Sequence, residues 1–198
     1  ANQLVSAVAT PERFRHFGIS HPNAVFVPVI ADEALGHNQL PAQLAAYASK
    51  SSGLSVCTDI YQSVRAYHTG ASKIDRFLRI PQFAGPVERG REYIIVDDHC
   101  TQGATINALR LYIHQNGGYV VGYATLSASA GGTMPEINAD QLQALRQSDP
   151  DGHLEAAIRN AYNYPNGFED LTHGQARFLS IPSNAAEVLN HLTAPSHS

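Results

Sequence analysis

Residues 92–126, EYIIVDDHCTQGATINALRLYIHQNGGYVVGYATL, constrain the fold more than any other stretch of this chain. A largely β-branched run ends in Asp97 and Asp98, small and hydroxyl residues follow, and apolar residues then recur at helical spacing until Gly117 and Gly118. The pattern predicts a strand over EYIIVDD, a helix over TINALRLYIHQNGG and a second strand over YVVGYATLSA. Strand, helix and strand at this spacing make a βαβ unit, which builds a parallel sheet through a right-handed crossover. Ligands of such sheets bind beyond the carboxyl ends of the strands, where DDHCTQGAT falls.

The flanks extend the same architecture. AVFVPVI (24–30) reads as a strand covered on both faces, GHNQLPAQLAAYASKSSG as a helix with Gly53 in the C′ position, and LSVCTDI (54–60) as another short strand. Residues 61–90 lose clear periodicity and read as a long loop with one short helix or hairpin, carrying Arg65, Lys73 and Arg76. Beyond 131 the pattern turns helical, at QLQALRQ, HLEAAIRNAY and NAAEVLNHL, with Asn184 and Glu187 as caps of the last helix. The expectation is an α/β core over 1–130 with an N-terminal arm, and a helical appendage over 131–198 packed on the same domain. A chain of 198 residues is long enough for one well-filled core.

Composition excludes several classes of partner. Thirteen Lys and Arg against seventeen Asp and Glu give a formal charge of −4, and the cations form no stripe, so the electrostatic footprint for nucleic acid is missing. No apolar run reaches the ~20 residues of a membrane helix. The ten histidines never stand in an i, i+4 pair, and Cys57 and Cys100 have no metal-ligand spacing, so reduced thiols in a soluble, cytoplasmic protein are expected. The start at Ala1 has no secretory signal pattern, and a longer parent polypeptide stays open.

The backbone N–H groups from Thr101 to Thr105 precede a helix, where unsatisfied donors and the helix dipole favour a phosphate. Gly103 gives the backbone room, and the hydroxyls of Thr101 and Thr105 add donors. Ionised Asp97 and Asp98 only accept hydrogen bonds, so they call for a donor such as a ribose diol, or for Mg²⁺. Together the groups describe a ribose 5-phosphate site. On pattern alone, a plain strand end with an ordinary helix N-cap at Thr101 or Thr105 remains the alternative.

The stretch YIIVDDHCTQGAT, with four apolar or aromatic positions, two acids, two variable positions and T-x-G-x-T, resembles the phosphoribosyl pyrophosphate signature of type I phosphoribosyltransferases. FVPVI with GHNQLPAQLAAYAS, the segment YHTGASKIDRF and GGYVVGYATL are similar to the competence-type branch, so the resemblance spans residues 24–127. It implies a twisted, mainly parallel sheet flanked by helices, a loop that closes over the site, a helical hood that chooses the acceptor, and a homodimer. It further implies Mg²⁺-bound phosphoribosyl pyrophosphate as substrate and a nitrogenous acceptor such as a nucleobase. Asp97 and Asp98 would hold the ribose hydroxyls, and Thr101, Gln102, Gly103, Ala104 and Thr105 the 5′-phosphate. Ala31, Asp32 and Glu33 stand at the pyrophosphate or metal loop, with Asp32 or Asp97 as the metal contact, while Arg65, Lys73 and Arg76 are candidates for neutralising the leaving group.

The chain also departs from the family pattern. Gln102 replaces a usual Thr, His99 and Cys100 stand where aliphatic residues are usual, and no acid lies near Thr101 to act as a base. Asp32 and Glu33 occupy a loop that often carries a cation, and two carboxylates repel pyrophosphate unless Mg²⁺ lies between. These departures keep open a second reading, a phosphoribosyltransferase-fold module that binds a nucleotide or phosphoribosyl pyrophosphate without turnover, including as part of a larger protein. Tyr123 either stacks on a base or packs in the core, and Tyr162, Tyr164 and Phe168 either roof a base or pack the appendage onto the sheet.

Overall fold

The computed structural model describes residues 10–30, 32–33, 36–37, 39–64, 73–128 and 136–194. They group into two compact units, one drawn from 1–65, 81–100 and 108–128, the other from 66–80, 101–107 and 129–198. No described helix is long and apolar enough to cross a membrane.

The first unit is an α/β layer structure, a four-stranded, all-parallel sheet with helices against it. Helix α1 (Pro11–Ser20) leads into β1 (Val25–Pro28), and a small antiparallel pair follows, β2 (Asp32–Glu33) with β3 (Gly36–His37). Next come α2 (Leu40–Ser52) and β4 (Ser55–Val56). Strands β5 (Tyr61–Val64) and β6 (Gln82–Ala84) pair antiparallel across the segment that the sequence leaves as a long loop. Then come β7 (Glu92–Cys100), α4 (Ala104–Gln115) and β8 (Tyr119–Ala128), with α3 (Lys73–Leu78) in the other unit. The sheet order is β4-β1-β7-β8.

Alternation along the strands sorts the core. Phe26, Ile94, Val96 and Ala124 face α1 and α2, where Phe14, Leu44, Ala45 and Ala48 are buried against them. The rings of Phe14 and Phe17 each meet Phe26 edge-on at 6.3 Å. Tyr93 takes the opposite face, near Ile113 of α4, since a Cβ on Gly118 would lie 2.9 Å from the Tyr93 ring and 2.8 Å from Ile113. Two right-handed crossovers that leave β1 and β7 in opposite directions require this split. Gly53 closes α2 at φ 81, as its place in the sequence predicts.

The second unit is helical. Besides α3 it contains α5 (Ala139–Ser148), α6 (His153–Tyr162), a 3₁₀ turn (Gly167–Asp170), α7 (His173–Leu179) and α8 (Pro182–Thr193). Its centre is aromatic: Phe77 stacks on Phe178 at 5.5 Å and meets Tyr162 edge-on, and Tyr162 lies 5.7 Å from Tyr164. Tyr164 and Phe168 are buried, so the rings read from sequence as a base roof or a sheet contact form the core of this unit. Asn138 with Gln141, and Thr172 with Gln175, make reciprocal capping boxes at α5 and α7. Asn184 does not cap α8, which begins at Pro182. Its side chain donates to the Phe178 carbonyl at 3.0 Å.

One close approach ties α1 to the sheet. A Cβ on Gly122 of β8 would stand 2.5 Å from the Phe17 ring. Gly122→Val is expected to destabilise the chain by about 1–3 kcal/mol through overpacking. Urea unfolding measures it, and an unchanged midpoint would mean α1 is free to move off β8.

Candidate functional site

β1 and β7 pair in parallel with Pro28 opposite Val96, and the pairing stops there. The N–H that proline lacks would face β4, whose own pairing with β1 ends at Phe26, so Pro28 removes no ladder bond. β7 runs on past this point, held among the described residues only by β8, with Asp97 opposite Thr125 and Cys100 opposite Ala128. The strand is thus longer than the EYIIVDD read from sequence, and the acid pair lies inside it. Because β1 leads to β4 on one side and β7 leads to β8 on the other, the carboxyl ends of β1 and β7 form the switch point of the sheet, the usual ligand crevice of open α/β folds.

Adjacent residues of a strand point to opposite faces, so Asp97 and Asp98 are not a side-by-side pair. Asp97 continues the buried face of Tyr93 and Ile95 and is 7% exposed, whereas Asp98 is half-buried. Burial, reinforced by the charge of Asp98, raises the Asp97 carboxyl from an ordinary value near 3.8 to about 8, against the pull of the Asp98 N–H donating to its Oδ1 at 2.9 Å. Cys100 is also buried, and its thiol is raised to about 11 by burial and by Asp97, so it is a poor nucleophile. His99 points outward, its Nδ1 2.7 Å from the Ser127 hydroxyl.

Residues 101–107 belong to the second unit. Gly103 has φ 76, the left-handed conformation that the turn requires and glycine allows. Among the described residues, no acceptor meets the N–H groups of Gln102, Gly103, Ala104 or Thr105, the last two being the free donors of the first turn of α4. Thr101 is exposed and Thr105 half-buried. The main-chain carbonyl of Gln102 accepts from the Thr172 hydroxyl, while its side-chain Oε1 is buried without a partner among the described residues. Gln102 therefore does not offer that oxygen to solvent as a simple loop side chain would. In the first turn of α4, Asn107 is fully buried and its Nδ2 donates to the Asp170 carbonyl. Thr172, Gly174 and Asn107 support the loop and were not among the residues read from the sequence. The Thr-x-x-Gln spacing at Thr172–Gln175 was the available signal.

Ala31 and Arg65 lie outside the described residues. Asp32 and Glu33 form β2, and Lys73 and Arg76 lie in α3. Cys57 and Cys100 are both free thiols. Among the described residues no group of three His, Cys, Asp or Glu could hold a metal ion. The half-buried Tyr123 lines a cavity of about 300 Å³ with Arg13, Phe14, His16 and Thr125, in the first unit.

No protein-family model matches the chain. It is 33% identical over 168 residues to Protein TraN of Escherichia coli, a match covering 85% of this chain and 37% of that protein. It is 36% identical over 95 residues to an uncharacterized protein of Haemophilus influenzae, covering 48% of this chain and 21% of that protein. The chain therefore spans well under half the length of both relatives. Solved structures similar to it include a purine phosphoribosyltransferase from Pyrococcus horikoshii, 12% identical with a TM-score of 0.36, covering 64% of this chain and 80% of that one. Another is the UMP synthase of Leishmania donovani, 14% identical with a TM-score of 0.32, covering 84% of this chain and 31% of that one.

The buried acid has a consequence for stability. The folded chain holds the Asp97 proton up to about pH 8, and the unfolded chain releases it near 3.8, so folding takes up a proton between these values. The contribution to stability is fully present below about pH 4, falls as pH rises, and is lost by about pH 8, with a slope of up to about 1.4 kcal/mol per pH unit. Asp97→Asn is expected to remove that slope in urea titrations run across this range. Parallel wild-type and variant curves would contradict the assignment.

Proposed function

We propose that the chain is a phosphoribosyltransferase module that transfers ribose 5-phosphate from phosphoribosyl pyrophosphate to a nitrogenous acceptor such as a nucleobase. The observation that carries this reading is the set of N–H donors at Gln102–Thr105, unmet by any acceptor among the described residues and following in the chain a strand that carries Asp97 and Asp98 near its carboxyl end, at the switch point of a parallel sheet. A loop of N–H groups at a helix N-terminus is matched to a phosphate, and a strand-end carboxylate to a hydroxyl donor. The resemblance of YIIVDDHCTQGAT to the family signature supplies the order of the two.

In this reading Thr101, Gln102, Gly103, Ala104 and Thr105 bind the 5′-phosphate through main-chain N–H groups, helped by the hydroxyls of Thr101 and Thr105. Asp98, the more accessible acid, accepts from a ribose hydroxyl. Asp97, kept neutral by burial at moderate pH, can donate its proton to a ribose oxygen or give it up when a cation approaches. The C1′–O bond to pyrophosphate breaks, the leaving oxygen takes the electron pair, and the acceptor nitrogen forms the new bond to C1′ and loses its proton to solvent. No base is assigned to that proton. The protein acts by positioning, and Arg65, Lys73 and Arg76 are the proposed cations for the departing charge.

Mg²⁺ supplies neutralising charge on the diphosphate when bound. The donor set fits an ion carried by the substrate and touched by one carboxylate, Asp97 or Asp32, since the described residues offer no three-ligand cage. We place the protein in the cytoplasm, and the family resemblance implies a homodimer. A binding module without turnover is the second reading, favoured by the acidic Asp32 and Glu33 at the pyrophosphate loop and by the buried, unpartnered Oε1 of Gln102.

Titration calorimetry with ribose 5-phosphate, and with phosphoribosyl pyrophosphate and Mg²⁺, tests the binding site. Asp97→Asn with Asp98→Asn is expected to weaken binding at least tenfold while circular dichroism stays unchanged, through loss of the charge-assisted contact of Asp98 and of the proton that Asp97 donates. Equal affinity in the double variant would remove the acids from the site. Pyrophosphate release over a panel of bases then separates transfer from binding alone, and binding without release for any base would favour the second reading.

A further inference from the structure

We infer that Thr172 and Gly174 form a clamp that sets the orientation of the phosphate loop, making them positioning residues for the ribose 5-phosphate site, on whose reading this inference rests. All the contacts lie within the second unit. Thr172 is fully buried, and its Oγ1 accepts the Gln175 N–H at 3.0 Å while donating to the main-chain carbonyl of Gln102. A hydroxyl has one proton and two lone pairs, so it can serve both contacts at once. Gln175 Oε1 accepts the Thr172 N–H at 2.9 Å in return, which fixes the hydroxyl in place.

Gly174 provides the second contact. A Cβ there would stand 2.8 Å from both the Cα and the carbonyl oxygen of Gln102, main-chain atoms that cannot swing aside. The requirement is space for a close approach of two backbones. Asn107 ties the far end of the loop to the same segment through the Asp170 carbonyl. Both ends of residues 102–107 are thereby fixed to residues 170–174.

The consequence for a ligand follows from the peptide plane. In a trans peptide the C=O of one residue and the N–H of the next point in opposite directions. Holding the Gln102 carbonyl on Thr172 therefore aims the Gly103 N–H the other way, and among the described residues no acceptor meets it. Gly103, at φ 76, is the residue least able to resist a flip of that peptide by its own sterics. A flip would replace a donor with a carbonyl oxygen facing the phosphate. Thr172 prevents this. The same corner leaves Gln102 Oε1 and Gln175 Nε2 buried without partners among the described residues.

The test is calorimetry of ribose 5-phosphate on the full chain and on Thr172→Val, Thr172→Ser, Gly174→Ala and Ile158→Val. Ile158 is fully buried in α6, so its truncation is a stability control. Thr172→Val and Gly174→Ala are expected to weaken binding about tenfold or more, with a moved Gly103 amide resonance, and Thr172→Ser to restore binding to within about threefold. Ile158→Val is expected to lower the melting temperature and leave affinity unchanged. Wild-type affinity in Thr172→Val would overturn the clamp, as would a loss of affinity in Ile158→Val that matches its loss of stability. Should Thr172→Val not fold, Gly174→Ala, which keeps the hydroxyl and the cap, decides in its place. No binding by the wild type would instead overturn the ribose 5-phosphate reading itself.

Discussion

The parallel pairing of β1 with β7, Val25 to Tyr93 through Pro28 to Val96, is the constraint from which the rest of the first unit follows. Both strands are buried on both faces there, so a slip of one residue would turn either Phe26 of β1 or Ile94 and Val96 of β7 away from α1 and α2. The register also decides where β1 stops. Since it stops at Pro28, β7 carries Asp97 and Asp98 past the end of its neighbour, and the acids emerge where the two crossovers diverge. Asp97 is buried in that place, which is why its carboxyl keeps its proton far above the usual range.

The loop after β7 depends on different forces. Turns without regular structure are held by whatever accepts and donates nearby, and here the partners come from Asp170 and Thr172, in the second unit. That unit is built around Phe77, Tyr162, Tyr164 and Phe178 and is tightened by polar ties at its surface, with Arg146 reaching Glu155 and Glu169 at 3.3 and 3.0 Å. Surface ion pairs of this kind add little, and the buried rings carry most of the stability. The chain thus assigns stable packing to the aromatic centre and donor orientation to a few polar contacts around the loop.

How much of this was legible in the sequence varied with the range of the forces involved. The strand over Tyr119–Ala128 and the helix over His153–Tyr162 follow from local periodicity and have the bounds read from it. The continuation of β7 through His99 and Cys100 was not legible, because polar residues at a strand end read as loop unless the partner Ser127–Ala128 is known. Helix α7 was missed for a similar reason: seven residues, HGQARFL, are too few to display a period, although Thr172 and Gln175 carried a capping signal. The left-handed Gly103 and the free donors around it were legible, since the turn chemistry is local. The contacts of Thr172, Gly174 and Asn107 were not, because they join positions some sixty to seventy residues apart.

The most direct test of the central claim is a nuclear magnetic resonance titration that follows the backbone amides of Gln102, Gly103, Ala104 and Thr105. Ribose 5-phosphate should shift them saturably, inorganic phosphate should reproduce the shifts more weakly, and ribose without phosphate should leave them unmoved. Loop amides that stay still under excess ribose 5-phosphate would contradict the account.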